Sequence, residues 1–268
     1  MKLTPEWIVG FVDGDGHFGF FENQNEKRFY FVVSQDKRSI NVLYELKAFF
    51  KCGSVHKAGA NMREYKVSSV DHLKKIIIPF FQKYNLKTSK KQDFEILACA
   101  CHRLTESQGV NKLNLNGYLS LIKNKSIVLN SDWLLGFIDA EGCFVCSLIK
   151  DKQYISQIII GLSSKDSEIL DAIKSYLGFG VRYTRKDGTE IFQISSQEDK
   201  YLFVTKYLLT KGSKDRLRTE KRICARKWSK IILLIQEKKH RSEETSERDK
   251  VYNQYMNFKK YLIKFKKV

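Results

Sequence analysis

Hydrophobic and polar residues follow two different periods along this chain, and the same succession of periods occurs twice. The segment from Thr4 to Phe18 reads TPEWIVGFVDGDGHF, and a similar segment from Asn130 to Phe144 reads NSDWLLGFIDAEGCF. In each, a capping residue precedes hydrophobic residues at helical spacing, which predicts a helix of about three turns. Equivalent positions in the two segments lie 126 residues apart, so the pattern indicates a duplicated half.

After each predicted helix the period changes to that of a strand. Pairs of apolar runs separated by polar residues predict a first hairpin in each half, and second hairpins are predicted at about 54–69 and 180–196. Helices are expected in six further places: 39–51, 71–84, 90–104, 165–177, 198–208 and 214–237. Each half therefore has the predicted order αββαββα, an α+β unit in which helices cover one face of an antiparallel sheet.

The chain is predicted to divide into two halves and a linker. The first half covers 1–104, a polar and Asn-rich linker covers 105–129, and the second half covers 130–268. The second half ends in a basic helix whose apolar face is marked by Val251, Tyr255, Phe258, Leu262 and Phe265. The polar positions of the second hairpins predict that the uncovered face of each sheet is polar.

Small residues recur four positions apart in the two repeated helices. They are Gly10 and Gly14 in the first helix, and Gly136 and Ala140 in the second. Such a stripe lets two helix backbones approach closely, which predicts that the two helices pack on each other. The alternative is that each helix is buried separately in its own half.

The charge of the chain narrows the class of partner. Its 48 Lys and Arg residues and 30 Asp and Glu residues give a net charge of +18, which favours nucleic acid, although a solvated basic surface would have the same composition. No apolar run approaches the roughly 20 residues that span a bilayer, so no membrane partner is expected. No import signal is expected either.

Six cysteines raise the possibility of disulfides or zinc. Cys143 and Cys146 have CxxC spacing, but an odd separation in a strand places them on opposite faces of a sheet. No second CxxC motif or nearby His pair completes a zinc site. Reduced thiols are therefore expected.

The candidate chemistry lies at the ends of the repeated helices. Asp15 and Glu141 occupy C-terminal ends, where the helix dipole disfavours a carboxylate and a compensating cation is expected. If the helices pack together, the two like charges meet and call for a divalent metal, and oxygen ligands favour Mg²⁺ over Zn²⁺. Asp13 and Asp139 point elsewhere and are interpreted as structural.

Metal ions held by carboxylates beside a DNA-binding face would suit phosphodiester hydrolysis, with one acid per half suggesting one cut per strand. Basic residues near the acids would stabilise the transition-state phosphate. Lys90 and Lys214 are the candidates, because each is predicted to open the last helix of its half. A solvated lysine is the competing interpretation of Lys214.

The motifs IVGFVDGDG and LLGFIDAEG resemble the two motif helices of the LAGLIDADG homing endonucleases, in their single-chain, two-motif form. The αββαββα halves and the segment KTSKKQDFEIL are also similar to that family. The resemblance implies pseudo-twofold halves with the motif helices at their interface, β-ribbons forming a saddle on double-stranded DNA, and a monomer. It implies double-strand breaks with short 3′ overhangs, made with two or three Mg²⁺ ions that Mn²⁺ or Ca²⁺ can replace.

The resemblance also assigns residues. The implied metal site consists of Asp15, Glu141, Gly14 and Ala140. Alternation after Asp15 places Phe18 and Phe20 towards the core, and the expected DNA-facing residues are His17, Gly19, Phe21, Asn23, Arg28, Tyr30, His56, Asn61, Glu64, Lys66, Ser68, Ser147, Gln153, Gln157, Arg182, Thr184, Arg185, Gln193 and Ser195.

Two other functions remain open on the same fold. One is an RNA maturase that acts on its own group I intron, since phosphate contacts serve either polymer. The other is a transcriptional regulator. Retention of both acids favours cleavage over either. The family resemblance and the Lys-rich, Pro-poor composition favour synthesis inside an organelle, a mitochondrion or a chloroplast.

Overall fold

The computed structural model describes residues 2–22, 26–103, 127–149, 153–209 and 216–266. It divides into two compact units, Lys2–Ala140 and Glu141–Val268. The second motif helix, through Ala140, therefore belongs to the same unit as the first, and the predicted linker 105–129 lies almost entirely outside the described residues.

The first unit contains the predicted α+β elements in the predicted order. Its elements are α1 (Pro5–Asp15), β1 (Gly16–Glu22), β2 (Lys27–Asp36), α2 (Ile40–Phe50), β3 (Ser54–Lys57), β4 (Met62–Val67), α3 (Val70–His72), α4 (Ile78–Lys83), α5 (Lys90–Arg103) and α6 (Ser131–Glu141). A π-helical turn, Leu73–Ile77, joins α3 to α4.

The second unit repeats the order of elements that follows α1 in the first and adds a long terminal helix. Its elements are β5 (Cys143–Leu148), β6 (Tyr154–Leu162), α7 (Ser167–Leu177), β7 (Val181–Thr184), β8 (Glu190–Ile194), α8 (Gln197–Phe203), α9 (Lys221–Gln236) and α10 (Thr245–Lys266). Val251, Tyr255 and Phe258 on α10 are buried, which confirms the predicted apolar face at these three positions, while the side chain of Phe265 lies outside the described part of the chain.

Each unit contains one four-stranded antiparallel sheet, with the strand orders β1-β2-β4-β3 and β5-β6-β8-β7. In the first unit the aromatic residues Phe18, Phe31 and Phe81 pack against one another with ring centroids 5.0–5.5 Å apart. In the second, Phe144 packs on the fully buried Trp228, whose indole donates to the carbonyl of Val145 at 2.9 Å. Helices cover this core face, so the other face of each sheet is left outward.

The two motif helices contact each other through their glycines. Gly10 lies against the backbone of Trp133, and Gly136 lies against the backbone of Trp7. A Cβ at either glycine would overlap a carbonyl oxygen of the facing helix, so only glycine fits at the crossing. The prediction that the helices pack on each other is confirmed, and the alternative of separately buried helices is wrong.

The prediction of a polar outward face is correct for the first sheet and wrong for the second. On the outward face of the second sheet, residues 145, 155, 159 and 181 are all apolar, and Ile155 and Val181 are 39% and 49% exposed. The prediction was made from the polar positions of the second hairpins. The neighbouring strands place valine and isoleucine on that same face.

A second correction concerns Arg182 and Thr184, which were expected to face outward with Gln193. The register pairs Gln193 with Val181, so the intervening Arg182 belongs to the opposite, helix-covered face. There Arg182 forms ion pairs with Asp171 of α7 and with Glu190, and the hydroxyl of Thr184 donates to Glu190 at 3.0 Å. Tyr183 takes the outward position.

All six cysteines are free thiols. Cys143 is exposed and Cys146 is buried, as expected for residues on opposite faces of one strand. Burial raises the pKa of the Cys146 thiol to about 12, so it stays protonated at neutral pH. No helix within the described ranges has the length and apolar composition needed to cross a membrane.

Candidate functional site

The C-terminal end of α1 brings together a carboxylate and an amide. Pro5 and the side chain of Thr4, which accepts from the backbone N–H of Trp7 at 3.2 Å, fix the start of this helix. Its last residue, Asp15, accepts a hydrogen bond from the side-chain amide of Gln35 at 2.6 Å. Gln35 was absent from the predicted site, yet it shares the parity of the buried Val33 in β2, which places it on the helix side of the sheet.

A lysine ammonium lies at the same end of α1. Lys90 opens α5, and its Nζ donates to the carbonyl of Gly14 and, at 3.4 Å, to the carbonyl of Val12. The last carbonyls of a helix have no intrahelical partner and carry the negative end of its dipole. The expectation that a cation compensates this end of the helix is confirmed by the position of Lys90.

Asp13, two residues before Asp15, has the structural role that was predicted for it. Its carboxylate accepts from the backbone N–H groups of Lys87 and Thr88, from the Thr88 hydroxyl at 2.8 Å and from the indole of Trp133 at 2.8 Å. Burial raises the pKa of Asp13, and these hydrogen bonds offset part of that effect. Asp13 thereby ties the segment before α5 to both motif helices.

The second motif helix has the same start and the same kind of end. The side chain of Asn130 accepts from the backbone N–H of Trp133 at 2.8 Å, and α6 ends at Glu141. Asp139 is 1% exposed, as Asp13 is 3% exposed, whereas Glu141 is only half-buried. Ala140, the residue before the acid, takes the place that Gly14 has in α1.

The prediction that Lys214 opens the last helix of the second half is wrong. Lys214 lies outside the described residues, the described residues 216–220 are not helical, and α9 begins at Lys221. The counterpart of LKTSK, residues 86–90, is LRTEK, residues 217–221. Thr88 and Thr219 are both buried, and each accepts through its carbonyl from the N–H three residues later at 3.0–3.1 Å. Lys221 is thus the structural equivalent of Lys90.

The donors that could hold a metal are all oxygens. No group of three or more His, Cys, Asp or Glu side chains suited to a metal occurs in the part of the chain that the structure describes. A protein site here would therefore offer one carboxylate and the adjoining backbone carbonyl at each helix end. Such a partial set suits Mg²⁺, which retains water and takes phosphate oxygens from a substrate.

The outward face of the first sheet carries most of the predicted DNA-facing residues of that half. His17 and Lys66 lie in one row across the strands, and Glu64 lies beside His56 in the next. Phe21 is 49% exposed. Gly19 has the expected parity, but the ring of Tyr30 covers it, so the tyrosine and not the glycine forms this part of the surface.

The remaining predicted residues of the first half lie around this face. Arg28 is exposed and forms an ion pair with Glu26 at 2.5 Å, and Nζ of Lys66 lies 5.3 Å from the centroid of Tyr30. Asn61 is in the turn between β3 and β4, and Ser68 is exposed just after β4. Asn23 lies outside the described residues.

In the second sheet, Ser147, Gln157 and Gln193 have the outward parity that was expected. Ser195 is exposed immediately after β8, and Gln153 is exposed just before β6. Arg185 is exposed in the turn between β7 and β8. Sequence reasoning missed Tyr183, whose hydroxyl donates to Oε1 of Gln193 at 3.0 Å. Pairing β7 with β8 outward from the turn that joins them would have placed Tyr183 on the outward face.

Comparison with known protein families gives a match that includes both motif helices and the sheet that follows each of them. The family model described as LAGLIDADG endonuclease matches residues 8–101 and 134–232, which together make up more than half of the chain. The chain belongs to the LAGLIDADG endonuclease family. The two matched regions begin within α1 and α6, so the repeat found in the sequence is the repeat of the family motif.

Relatives and solved structures agree with the family. A Schizosaccharomyces pombe protein named "Probable intron-encoded endonuclease Cox1-I1b" is 31% identical over 52% of this chain and 40% of its own length. "Probable intron-encoded endonuclease 4" of Neurospora crassa is 28% identical over 89% of this chain and 41% of its own length. The chain thus spans about two fifths of these relatives.

Among solved structures, meganuclease I-SmaMI bound to uncleavable DNA matches with a TM-score of 0.81 at 24% identity, covering 97% of this chain and 100% of that one. The LAGLIDADG meganuclease I-AabMI bound to uncleaved DNA matches with a TM-score of 0.76 at 22% identity, over 94% and 97% of the two chains. At these identities the likeness establishes the fold, in agreement with the predicted α+β class.

Proposed function

We propose that this chain is a site-specific DNA endonuclease that requires a divalent metal and cuts both strands of a long duplex target, leaving short 3′ overhangs. The observation that carries the proposal is the end of α1. There the Asp15 carboxylate is held by Gln35, and a lysine ammonium rests on the adjoining carbonyls. A helix end that attracts cations, followed directly by a strand of an outward-facing sheet, suits hydrolysis of a bound polyanion.

Each residue has a defined part in this proposal. Asp15 and Glu141 are the metal-binding carboxylates, with the carbonyls of Gly14 and Ala140 beside them. Lys90 and Lys221 provide positive charge for the phosphate in the transition state. Gln35 fixes the orientation of Asp15. Mg²⁺, or Mn²⁺ or Ca²⁺ in its place, would supply Lewis acidity and a water of lowered pKa.

The sheets are the proposed DNA-binding surface. Two-stranded ribbons fit the major groove, where side chains meet the edges of the bases, and the net charge of +18 attracts the phosphates. The meganuclease structures that match this fold contain DNA, which supports the same partner here. The duplication of the motif within one chain supports action as a monomer with one acid for each strand.

The relatives also support an intron-encoded origin in a mitochondrion. The S. pombe and N. crassa relatives are named as intron-encoded endonucleases, and a Saccharomyces cerevisiae relative, 26% identical, is named as a mitochondrial protein. We therefore propose that the chain is encoded and acts in that compartment.

The test is cleavage of a randomised or host-derived duplex library with Mg²⁺, comparing the wild type with Glu141→Gln. We expect metal-dependent double-strand breaks at one long site, lost in the variant while binding to that site persists. Glu198→Gln is the matched control, because Glu198 is an exposed acid on α8 of the same unit. Tight binding to a structured intron RNA, with no cleavage of any duplex by the wild type, would overturn the proposal in favour of a maturase.

A further inference from the structure

The outward faces of the two sheets differ in chemistry. The first presents charged or histidine side chains at six strand positions, which are His17, Arg28, Asp36, His56, Glu64 and Lys66. The second presents no Lys, Arg, His, Asp or Glu among its strand residues, which the register gives as Cys143, Val145, Ser147, Ile155, Gln157, Ile159, Gly161, Val181, Tyr183, Ile191 and Gln193.

Several apolar side chains of this second face are solvent-accessible, although Ile191 is buried. Ile155, Val181 and Tyr183 are 39%, 49% and 42% exposed, and Val145 and Ile159 on the same face are half-buried. Exposed or half-buried β-branched residues on three strands of one sheet cost free energy in water unless a partner covers them. The face is therefore built for a ligand with apolar groups of its own.

Positive charge lies at the rim of the same face. Arg185 and Lys186 are exposed in the turn between β7 and β8 and outnumber the one acid of that turn, Asp187. Gln157 and Gln193 supply polar groups on the two central strands, and Oε1 of Gln193 accepts from the hydroxyl of Tyr183. An apolar floor with a basic edge is complementary to a DNA groove that exposes methyl groups between two phosphate backbones.

We infer that the second sheet recognises thymine by its C5-methyl group, through Val145, Ile155, Ile159 and Val181, and that the half-site it covers is rich in T·A pairs. The inference rests on the proposed DNA endonuclease function and deepens it. The thymine methyl is the one apolar group that the major groove presents, and aliphatic side chains contact it directly. The charged face of the first sheet reads its half-site through hydrogen bonds instead.

The experiment uses the duplex recovered from the cleavage selection, with thymines replaced by deoxyuridine in one half-site at a time. This replacement removes only the methyl group and keeps the base pairing. We expect binding to weaken about fourfold for each methyl lost in the half-site of the second sheet, the value of one buried methyl group, and by less than twofold in the other half-site.

Variants identify the sheet responsible. In Ile155→Ala and Val181→Ala, replacing thymine by deoxyuridine in the half-site of the second sheet should weaken binding less than it does for the wild type, because the side chain that contacted the methyl group is gone. The effect of the replacement in the other half-site should not change. Leu202→Ala is the matched control, since Leu202 is 47% exposed on α8 of the same unit and lies off the sheet; its loss of binding on the replacement should equal that of the wild type. Thermal unfolding of each variant verifies the fold.

The outcomes separate the inference from the proposed function. A protein that cleaves its duplex but loses less than twofold in binding with deoxyuridine in either half-site overturns the inference and leaves the endonuclease standing. Cleavage of no duplex overturns the proposed function itself. If Val181→Ala instead changes the sedimentation of the free protein, the face is a contact between protein copies, and the inference is overturned.

Discussion

The two halves of this chain have the same scaffold but differ in the residues around it. Helices α1 and α6 each have a capped start, a glycine at the crossing and a carboxylate at the end. Both are followed by a sheet with the same strand order. Backbone geometry was therefore retained in both copies, since each glycine fits against the backbone of the facing helix and neither copy can change alone.

The side chains near the acids were not retained in the same way. The row formed by Gln35, Arg63 and Lys57 in the first sheet corresponds to Leu162, Glu190 and Thr184 in the second. The first sheet thus has an amide and two basic residues where the second sheet has a leucine, an acid and a threonine. The comparison indicates that the copies share a fold but support unequal environments for their two carboxylates.

The largest expected effect concerns the feature that the halves share. Gly10→Ala and Gly136→Ala each place a Cβ into a backbone carbonyl of the facing helix. Both should lower the free energy of unfolding by more than about 3 kcal/mol, because neither helix backbone can yield without the other. Urea denaturation measures this. Gly59→Ala is the control, since a Cβ there meets nothing closer than Met62 at 4.0 Å and should be nearly neutral.

The second prediction tests the revised pairing of the lysines. Lys90→Met and Lys221→Met should each slow cleavage about 10²–10³-fold, the usual effect of removing one donor to a transition-state charge. Lys214→Met should remain within threefold of the wild type. Single-turnover cleavage of the selected duplex measures all three. If Lys214→Met is the slow variant and Lys221→Met is not, the equivalence of Lys90 and Lys221 is wrong.

The difference between Gln35 and Leu162 should appear as unequal cutting of the two strands. Gln35→Leu removes the hydrogen bond to Asp15 and should slow one strand about 10–100-fold, as loss of a residue that orients a metal ligand does. A plasmid carrying the target should then accumulate as a nicked circle before it becomes linear. Leu162→Gln is the matched change in the other half, and an equal slowing of both strands would contradict the asymmetry.

The sequence was sufficient for everything that depends on local pattern. The two capped helices, the two hairpins in each half and the structural part of Asp13 follow from spacing, charge and the repeat. The fold class was correct for the same reason, since αββαββα is read from periods that each element carries within itself. The helix crossing was predicted because small residues four apart lie on one helix face.

What failed depended on loop length. Equivalent positions differ by 126 between the motif helices, by 127 between β2 and β6, and by 131 between Lys90 and Lys221. Surface loops accept inserted residues at little cost in free energy, so a constant offset does not extend past them. Lys214 was chosen because the last helix was predicted to begin there, whereas that helix begins further along, at Lys221.

The register error at β7 has a related cause. Polar residues were assigned to the outward face by type, which selected Arg182 and Thr184, but the face of a strand residue is fixed by its partner across the turn. A charged residue is accommodated at position 182 on the other face because Arg182 forms ion pairs there with Asp171 and Glu190. An ion pair between a strand and a distant helix leaves no period in the sequence.

The smallest expected effect is on the two motif tryptophans, which are equivalent in sequence but not in hydrogen bonding. The indole of Trp133 donates to Asp13, whereas the buried indole N–H of Trp7 has no partner among the described residues. Trp133→Phe should therefore lower the free energy of unfolding by about 2 kcal/mol more than Trp7→Phe, because it leaves a buried carboxylate with one donor fewer.

The pH dependence distinguishes this cause from a change in packing. Loss of the indole donor raises the pKa of Asp13 further above its ordinary value of 3.8, so the folded variant binds its proton more tightly than the unfolded chain does. The extra destabilisation of Trp133→Phe should be smallest below pH 3.8, grow as the pH rises through the folded-state pKa and then stay constant. Denaturation of both variants across this range measures it. A difference that does not change with pH would mean that ring size, and not the carboxylate, separates the two tryptophans.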